Sequence, residues 1–484
     1  MRRLAGDSEL WKQKYYARWV RPRALRIPGL KETESSSNAL HYSSKLAKWL
    51  DHGHLIQQGM DTDWKRQYRL RYNWWRGSCK VRELEVAEPL VPPVLVKFHQ
   101  GIIYTLDAET GLRAWTARSQ LCPLATQPLT LLSNQRAVPT SLGLDASLER
   151  ADQCQLSVGL EDGSFHLYTF DRVSGSFEFK YSHAPSSNGA ITAIAMAWPY
   201  VLTMSHDKIL SLYQFSQKSA IMTQDTFEHP QLLASLKSDM AYTPLSLSIR
   251  TSSIGIVACI AYAFSRLNLG WAVGLQELRL TKEGGSVGSR LASTVEVGST
   301  SFQSIKDQHC SVLARSAASQ PFALHPQLMA RPSSLSYSHP YMLASLPDNT
   351  LMLYLVISDT EKLTITAGRR LWGHTSSISG AEVSGRGKAV SVSKLGSEIR
   401  VWELEDVITS TSSRKPSIRI NPEKQDLGVV VGAIARRGDG IGLAFHDMQR
   451  ELALTRSWVG FDDEQVVVLG ERCRRQILSC YDFT

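Results

Sequence analysis

With 484 residues, 43% of them hydrophobic and 20% charged, the chain has the composition of a soluble globular protein able to bury a substantial core. Its longest apolar run, Ile254 to Phe264, is far shorter than the roughly 20 residues a membrane helix needs, and its opening, MRRLAGDSELW, lacks the apolar stretch of a signal peptide. The net charge of +9 sits at one end: residues 1–82 carry 18 Lys and Arg against 7 Asp and Glu, a net +11, and residues 83–484 carry 36 against 38, a net −2.

In chain order, the first predicted element is a helix over DSELWKQKYYARWV, residues 7–20. Asp7 or Ser8 can cap it and Glu9 complements its dipole. Trp11, Tyr15 and Trp19 fall four apart on one face, and Pro22 ends the element by pushing Arg21 out of helical geometry. Residues 31–40, KETESSSNAL, have a linker's composition, and a helical segment follows over residues 43–59 in which Leu46, Leu50 and Leu55 share a face and Gly53 weakens the run. Asp63 can then cap a helix with Trp64, Tyr68, Tyr72 and, a turn later, Trp75 along one side and Arg66, Arg69, Arg71 and Arg76 over much of the rest. Such a stripe is either packed core beside a solvated basic face or a stacking surface for nucleic acid.

From about Val81 the pattern changes to short alternating segments. Five stretches share one frame, an apolar strand, a turn, and an apolar-x-apolar-aromatic strand: they close at Trp115, Tyr168, Tyr213, Tyr354 and Trp402, and a sixth with a longer turn closes at Tyr481. A hairpin repeated in this way is the signature of a β-propeller. Intervals between the closing aromatics are 53, 45, 141, 48 and 79 residues, against a blade repeat of roughly 40–45. The 141-residue interval therefore hides at least one more blade, for which residues 253–280 supply two apolar strands. The fold expected is mainly β, a propeller of seven blades if residues 282–325 are an insertion and eight if they conceal another. Seven is preferred, because Gly284, Gly285, Gly288 and the Ser-rich run through Ser304 read as loop. Residues 133–153 and 405–426 also read as loops.

The clearest repeat is residues 371–404, which open on Gly373-His374 and close on Val401-Trp402. It resembles a WD repeat, a family pattern in which the His, a turn Asp, a Ser or Thr and the Trp can form a buried hydrogen-bond network. Asp162, Asp207 and Asp348 occupy the Asp place before Tyr168, Tyr213 and Tyr354, and Glu109 substitutes for it before Trp115. In the blade of His374 and Trp402, Gly396 stands there, so the network is expected to be broken. The residues Trp115, Asp162, Tyr168, Asp207, Tyr213, Asp348, Tyr354, His374, Trp402 and Tyr481 are read as structural.

The N-terminal part resembles F-box proteins. Asp7, Leu10, Trp11, Lys12 and Tyr15 match the Asp-x-x-Leu-Trp-Lys-x-x-Tyr form of the helix that ends many F-box domains. Trp64, Tyr68, Trp74 and Trp75, within WKRQY and NWWRG, look like the helical linker between F-box and propeller in F-box/WD-repeat proteins of the fungal type. The resemblance implies three regions: residues 1–22 as the end of an F-box, with Leu10, Trp11, Tyr15 and Trp19 on the adaptor side; residues 23–80 as a basic helical linker; residues 81–484 as a degenerate WD-repeat propeller. The earlier F-box helices would precede Asp7, where only six residues stand, which points to an incomplete gene model or a lost module.

What the resemblance implies for function is a non-catalytic substrate-recognition subunit of a cullin–RING ubiquitin ligase, with an F-box adaptor, a cullin and a protein substrate as partners. The alternative is a propeller scaffold without ligase association, touching RNA or another acidic partner through residues 1–82. Neither reading needs a cofactor, metal or membrane. The seven cysteines are odd in number and hold no Cys-x-x-Cys pair, which fits a reducing compartment, cytoplasmic or nuclear. No His-Glu-x-x-His or Gly-x-Ser-x-Gly motif occurs. The cluster Gly438, Gly440 and Gly442 reads as a turn, and His206-Asp207 and His446-Asp447 read as turn polarity. No substrate-binding residue is assigned.

Overall fold

A computed structural model of the chain describes residues 7–20, 63–87, 94–118, 122–129, 138–145, 152–215, 230–237, 242–251, 255–266, 270–281, 286–294, 330–359, 362–395, 398–409, 417–422, 455–472 and 475–484. The helical segment expected over residues 43–59, Gly396, the glycine cluster at 438–442 and His446-Asp447 lie outside them. The described strands form seven sheets, each a blade of a β-propeller and antiparallel throughout except where Asn421–Pro422 pairs parallel with Ser78 and Cys79.

Blade 1 comprises Leu95–His99, Ile102–Asp107, Gly111–Thr116 and Ala125–Gln127. Blade 2 comprises Pro139–Leu144, Gln153–Leu160, Phe165–Asp171 and Ser176–His183. Blade 3 runs from Ile191–Ala197 to Gln231–Lys237, and blade 4 from Tyr242–Thr251 to Ser286–Ser293. Blade 5 begins at Ser334–Ser338, and both Leu363–Ile365 and Arg369–Trp372 pair with its third strand, Thr350–Ser358. Blade 6 comprises Ile378–Val383, Lys388–Ser393, Ile399–Glu403 and Ser417–Arg419. Blade 7 takes Thr455–Phe461, Gln465–Arg472 and Arg475–Asp482 from the end of the chain and its outer strand, Ser78–Ala87, from the beginning.

That last pairing, from Lys80 opposite Asp482 to Ala87 opposite Gln476, fastens the ring shut and leaves no open seam between first and last blades. The first strands of successive blades are neighbours all the way round, with Thr455–Phe461 beside Leu95–His99. Each middle strand is therefore covered on both faces, which is why Ile103, Tyr104 and Leu106 of blade 1 are all fully buried rather than alternating.

Three expected loops contain structure. Ser286–Ser293 is the outer strand of blade 4, in register from Gly274 opposite Ser293 to Leu280 opposite Ser286. Pro139–Leu144 is the inner strand of blade 2, and residues 404–409 and 417–419 form a short helix and the outer strand of blade 6. In the outer strands, pairing along one edge asks for less apolar alternation, so glycine and serine are tolerated. In Pro139–Leu144 the facing strand and the next blade leave no room for a side chain: a Cβ on Gly143 would lie 2.3 Å from the Ser157 hydroxyl opposite it and 3.2 Å from Ile194 Cγ2 of blade 3. The propeller's first strand begins at Ser78, three residues before the Val81 boundary.

Candidate interaction surface

Asp63 starts the helix Trp64–Arg76 by accepting from the Arg66 amide at 3.0 Å. Gly77 ends it in the left-handed region, φ 70°, where a Cβ would lie 2.2 Å from the Arg419 carbonyl. No other residue type fits that stop.

The helix has two working sides. Trp74 and Leu70 enter the core of blades 6 and 7. The Trp74 indole stacks on Phe483 with centroids 3.9 Å apart, and its Nε1 donates to the Asp463 carbonyl at 2.8 Å. Lys388 lies 4.1 Å from the same ring, and burial lowers its pKa. Asn73 Nδ2 donates to the Phe483 carbonyl at 2.7 Å. Arg66 and Arg118 both engage Glu464, tying the helix and blade 1 to the first turn of blade 7. In that turn Asp462 accepts from the amides of Glu464 and Gln465 at 2.8 Å and of Gly101 at 3.0 Å; burial raises its pKa to about 6.

On the other side, Trp64 and Tyr68 meet the first helix, Ser8–Tyr15, which Asp7 caps by accepting from the Glu9 amide at 3.0 Å. A wider turn, Tyr16–Val20, extends it in place of the regular helix expected to Val20. Tyr15 and Trp64 are buried together with Trp11, Tyr16, Trp19 and Tyr68 packed around them, and Leu10 is half-buried. The Arg18 guanidinium lies 5.0–5.2 Å from the rings of Trp19, Tyr72 and Trp75 and donates to the Tyr68 hydroxyl. Trp75 remains 54% exposed. The stripe expected from spacing thus divides: Trp64 and Tyr68 bind the first helix, Tyr72 and Trp75 border it, and Trp74 belongs to the propeller.

The blades carry polar networks of unequal completeness. In blade 6, Trp402 Nε1 donates to Ser391 Oγ at 2.8 Å, and His374 Nε2 shares that hydroxyl at 2.6 Å. Glu398 takes the acid's place: its Oε2 lies 3.5 Å from His374 Nδ1 and accepts from the Thr375 amide and hydroxyl, and its Oε1 accepts from Arg400 Nε at 2.8 Å. The acid expected to be missing at Gly396 is therefore supplied two residues later, close to the ring, although His374 Nδ1 makes no hydrogen bond to it. Burial pushes the His374 pKa down to about 4, so the ring is neutral at pH 7. In blade 1, Trp115 Nε1 donates to Thr105 Oγ1 at 2.8 Å, and the working carboxylate is Asp107, paired with Arg113 at 2.8 Å. Glu109, expected in that role, is exposed.

Asp162 and Asp348 order their turns through Ser164 and Thr350, with the buried Tyr168 and Tyr354 closing those blades. Asp207 and His206 are solvent-facing, 55% and 76% exposed, and Tyr213 is half-buried. Tyr481 is buried in blade 7. Blade 4 has no closing aromatic; its fully buried Glu277 binds Arg250 and Arg290 at 2.8 Å each and accepts from Ser358 of blade 5 at 2.9 Å. Sequence reasoning missed Ser391, Thr105, Glu398 and Glu277. A hydroxyl ten or eleven residues before a closing Trp was the available signal for the first two. Among the described residues there is no cluster of potential metal ligands and no helix long and apolar enough to cross a membrane.

A family model described as the F-box protein pof12 beta-propeller matches residues 79–484. The chain belongs to that family. It is 23% identical over 262 residues to the F-box protein pof12 of Schizosaccharomyces pombe (strain 972 / ATCC 24843), covering 53% of this chain and 50% of that protein. It thus spans about half the length of this curated relative. Among solved structures it is similar to the WD40 beta propeller domain of Doa1, with TM-score 0.40, 12% identity and coverage of 83% of this chain and 95% of the other. It is also similar to the Myceliophteria thermophila Cps50 (Swd1) beta-propeller domain, with TM-score 0.44, 8% identity and coverage of 84% and 100%.

Proposed function

We propose that this chain is the substrate-recognition subunit of an F-box-type cullin–RING ubiquitin ligase, acting in the cytoplasm or nucleus. The first helix, with Leu10, Trp11, Tyr15 and Trp19, faces the adaptor, and the propeller carries the protein substrate. The observation that supports this most is the helix Trp64–Arg76, fixed to blade 7 through Trp74 and to the first helix through Trp64 and Tyr68. A receptor must hold substrate at a set distance from the transfer machinery, and a helix packed on both sides serves that need. Membership of the pof12 propeller family adds to it. Chemistry belongs to other subunits in this reading: His374 is neutral and enclosed, and His206 sits in an exposed turn.

Affinity purification of the full chain from cells, followed by mass spectrometry, tests the proposal. Recovery of an F-box adaptor and a cullin is expected, and recovery of neither rejects it. The scaffold alternative, with residues 1–82 contacting RNA, predicts instead a salt-sensitive shift of labelled RNA by the full chain.

A further inference from the structure

We propose that Ser358 is a phosphorylation site whose phosphate clamps blade 5 to blade 4. Ser358 ends the third strand of blade 5, Thr350–Ser358, and its hydroxyl meets blade 4 across the crevice between them. There it donates to Glu277 Oε2 at 2.9 Å, with the Nη2 atoms of Arg290 and Arg279 at 3.3 and 3.4 Å. Arg250, from the first strand of blade 4, binds the other oxygen of Glu277 at 2.8 Å. The three arginines come from three different strands of that blade.

The charges decide what this hydroxyl could carry. Counted at full charge, three guanidinium groups surround the one buried carboxylate of Glu277. The next carboxylate in the chain, Asp359, is exposed and forms no ion pair among the described residues. A phosphate on Ser358 adds a charge of about −1.5 to −2 at pH 7. At like distances its attraction to Arg279 and Arg290 is about twice its repulsion from Glu277, and their planar forks suit phosphate oxygens. Glu277 loses the Ser358 proton but keeps Arg250 and Arg290. Because the side chains of Arg250, Arg279 and Arg290 are 31%, 23% and 19% exposed, the crevice opens to solvent and the phosphate is not taken into a dry interior.

A kinase can reach this serine. Ser358 pairs with Leu363 at one end of a three-residue edge strand, Leu363–Ile365, next to Ile357, which is 46% exposed. A hairpin end held by so few pairs opens at low cost. Asp359 and Glu361 follow in the sequence, an acidic context that complements a kinase with a basic substrate groove. The terminal phosphoryl group of a nucleoside triphosphate passes to Ser358 Oγ, its bond to the leaving diphosphate breaks, and the serine proton goes to the kinase's base. Closing the hairpin then sets the phosphate against Arg279 and Arg290, joining the two blades more firmly.

Thermal unfolding of the full chain with phosphoserine installed at position 358 by genetic encoding, beside the unmodified chain, tests this. An upward shift of about 2 °C or more is expected. Arg279→Gln, and separately Arg290→Gln, should each remove about half of that shift or more, and the midpoints of the unmodified variants establish that both are folded. Phosphoserine at the exposed Ser235, on the outer strand of blade 3, should give no upward shift. Phosphopeptide mass spectrometry of the chain purified from cells should find the phosphate on Ser358. A midpoint lowered or unchanged by the modification, a shift that survives both arginine substitutions, or recovery of the Ser358 peptide only in unmodified form overturns the proposal. None of these outcomes bears on adaptor recovery, so this site and the ligase reading fail separately.

Discussion

Blades 6 and 4 hold their sheets together with different chemistry. Blade 6 uses a neutral relay, Trp402 to Ser391 to His374, with Glu398 beyond it bound by Thr375 and Arg400. Blade 4 has no closing aromatic and buries a carboxylate, Glu277, between Arg250 and Arg290 instead. Hydrogen bonds among uncharged groups add stability with little desolvation cost, whereas a buried ion pair does little more than offset its own desolvation and becomes costly when one partner is lost. The two blades should therefore respond differently to the loss of a single group.

The largest effect is expected in blade 4. Glu277→Ala leaves Arg250 and Arg290 without their buried carboxylate and should destabilise the propeller by roughly 3–5 kcal/mol, read from chemical denaturation. In blade 6, Ser391→Ala strands the Trp402 N–H and the His374 ring together, and a loss of about 2–4 kcal/mol is expected by the same measurement.

Acid acts on two groups of blade 6 in opposite directions. His374 has its pKa lowered to about 4 from 6.5, so between those values the unfolded chain binds the extra proton and stability falls as pH falls through that window. Glu382 has its pKa raised to about 7 from 4.5 by burial; there the folded chain binds the extra proton, and stability falls as pH rises from 4.5 to 7. The two slopes oppose each other. Glu382→Gln should therefore steepen the loss of stability on acidification, and a profile unchanged by that substitution would contradict the assignment. The smallest effect belongs to blade 3: Asp207 is solvent-facing, and Asp207→Ala should change stability by no more than about 0.5 kcal/mol.

What could be read in the sequence follows the same physics. Hairpins closing at Trp115, Tyr168, Tyr354 and Trp402 were legible because middle strands are covered on both faces and their apolar runs are unbroken. Blade 4 was found only as two apolar strands, and its outer strand, Ser286–Ser293, was hidden because an edge strand needs no strong alternation. The blade acid was misplaced because a fixed offset pointed to Gly396 and Glu109, whereas the buried carboxylates are Glu398, bound by Thr375 and Arg400, and Asp107, bound by Thr110 and Arg113. The pairing of Ser78–Ala87 with Arg475–Asp482 joins residues nearly 400 positions apart, and neither segment alone shows its partner. In the helix, spacing located the aromatic stripe, but the assignment of Trp74 to the propeller depended on Phe483, at the far end of the chain.

The central claim is that the helix Trp64–Arg76 and the propeller form one unit. Hydrogen–deuterium exchange of the full chain measures this directly. Amides of Leu70 to Trp75 should exchange as slowly as those of strand Gln465–Arg472, and Trp74→Ala should release the helix amides while the strand stays protected. Rapid exchange across the helix in the unaltered chain, beside a protected propeller, would contradict the account.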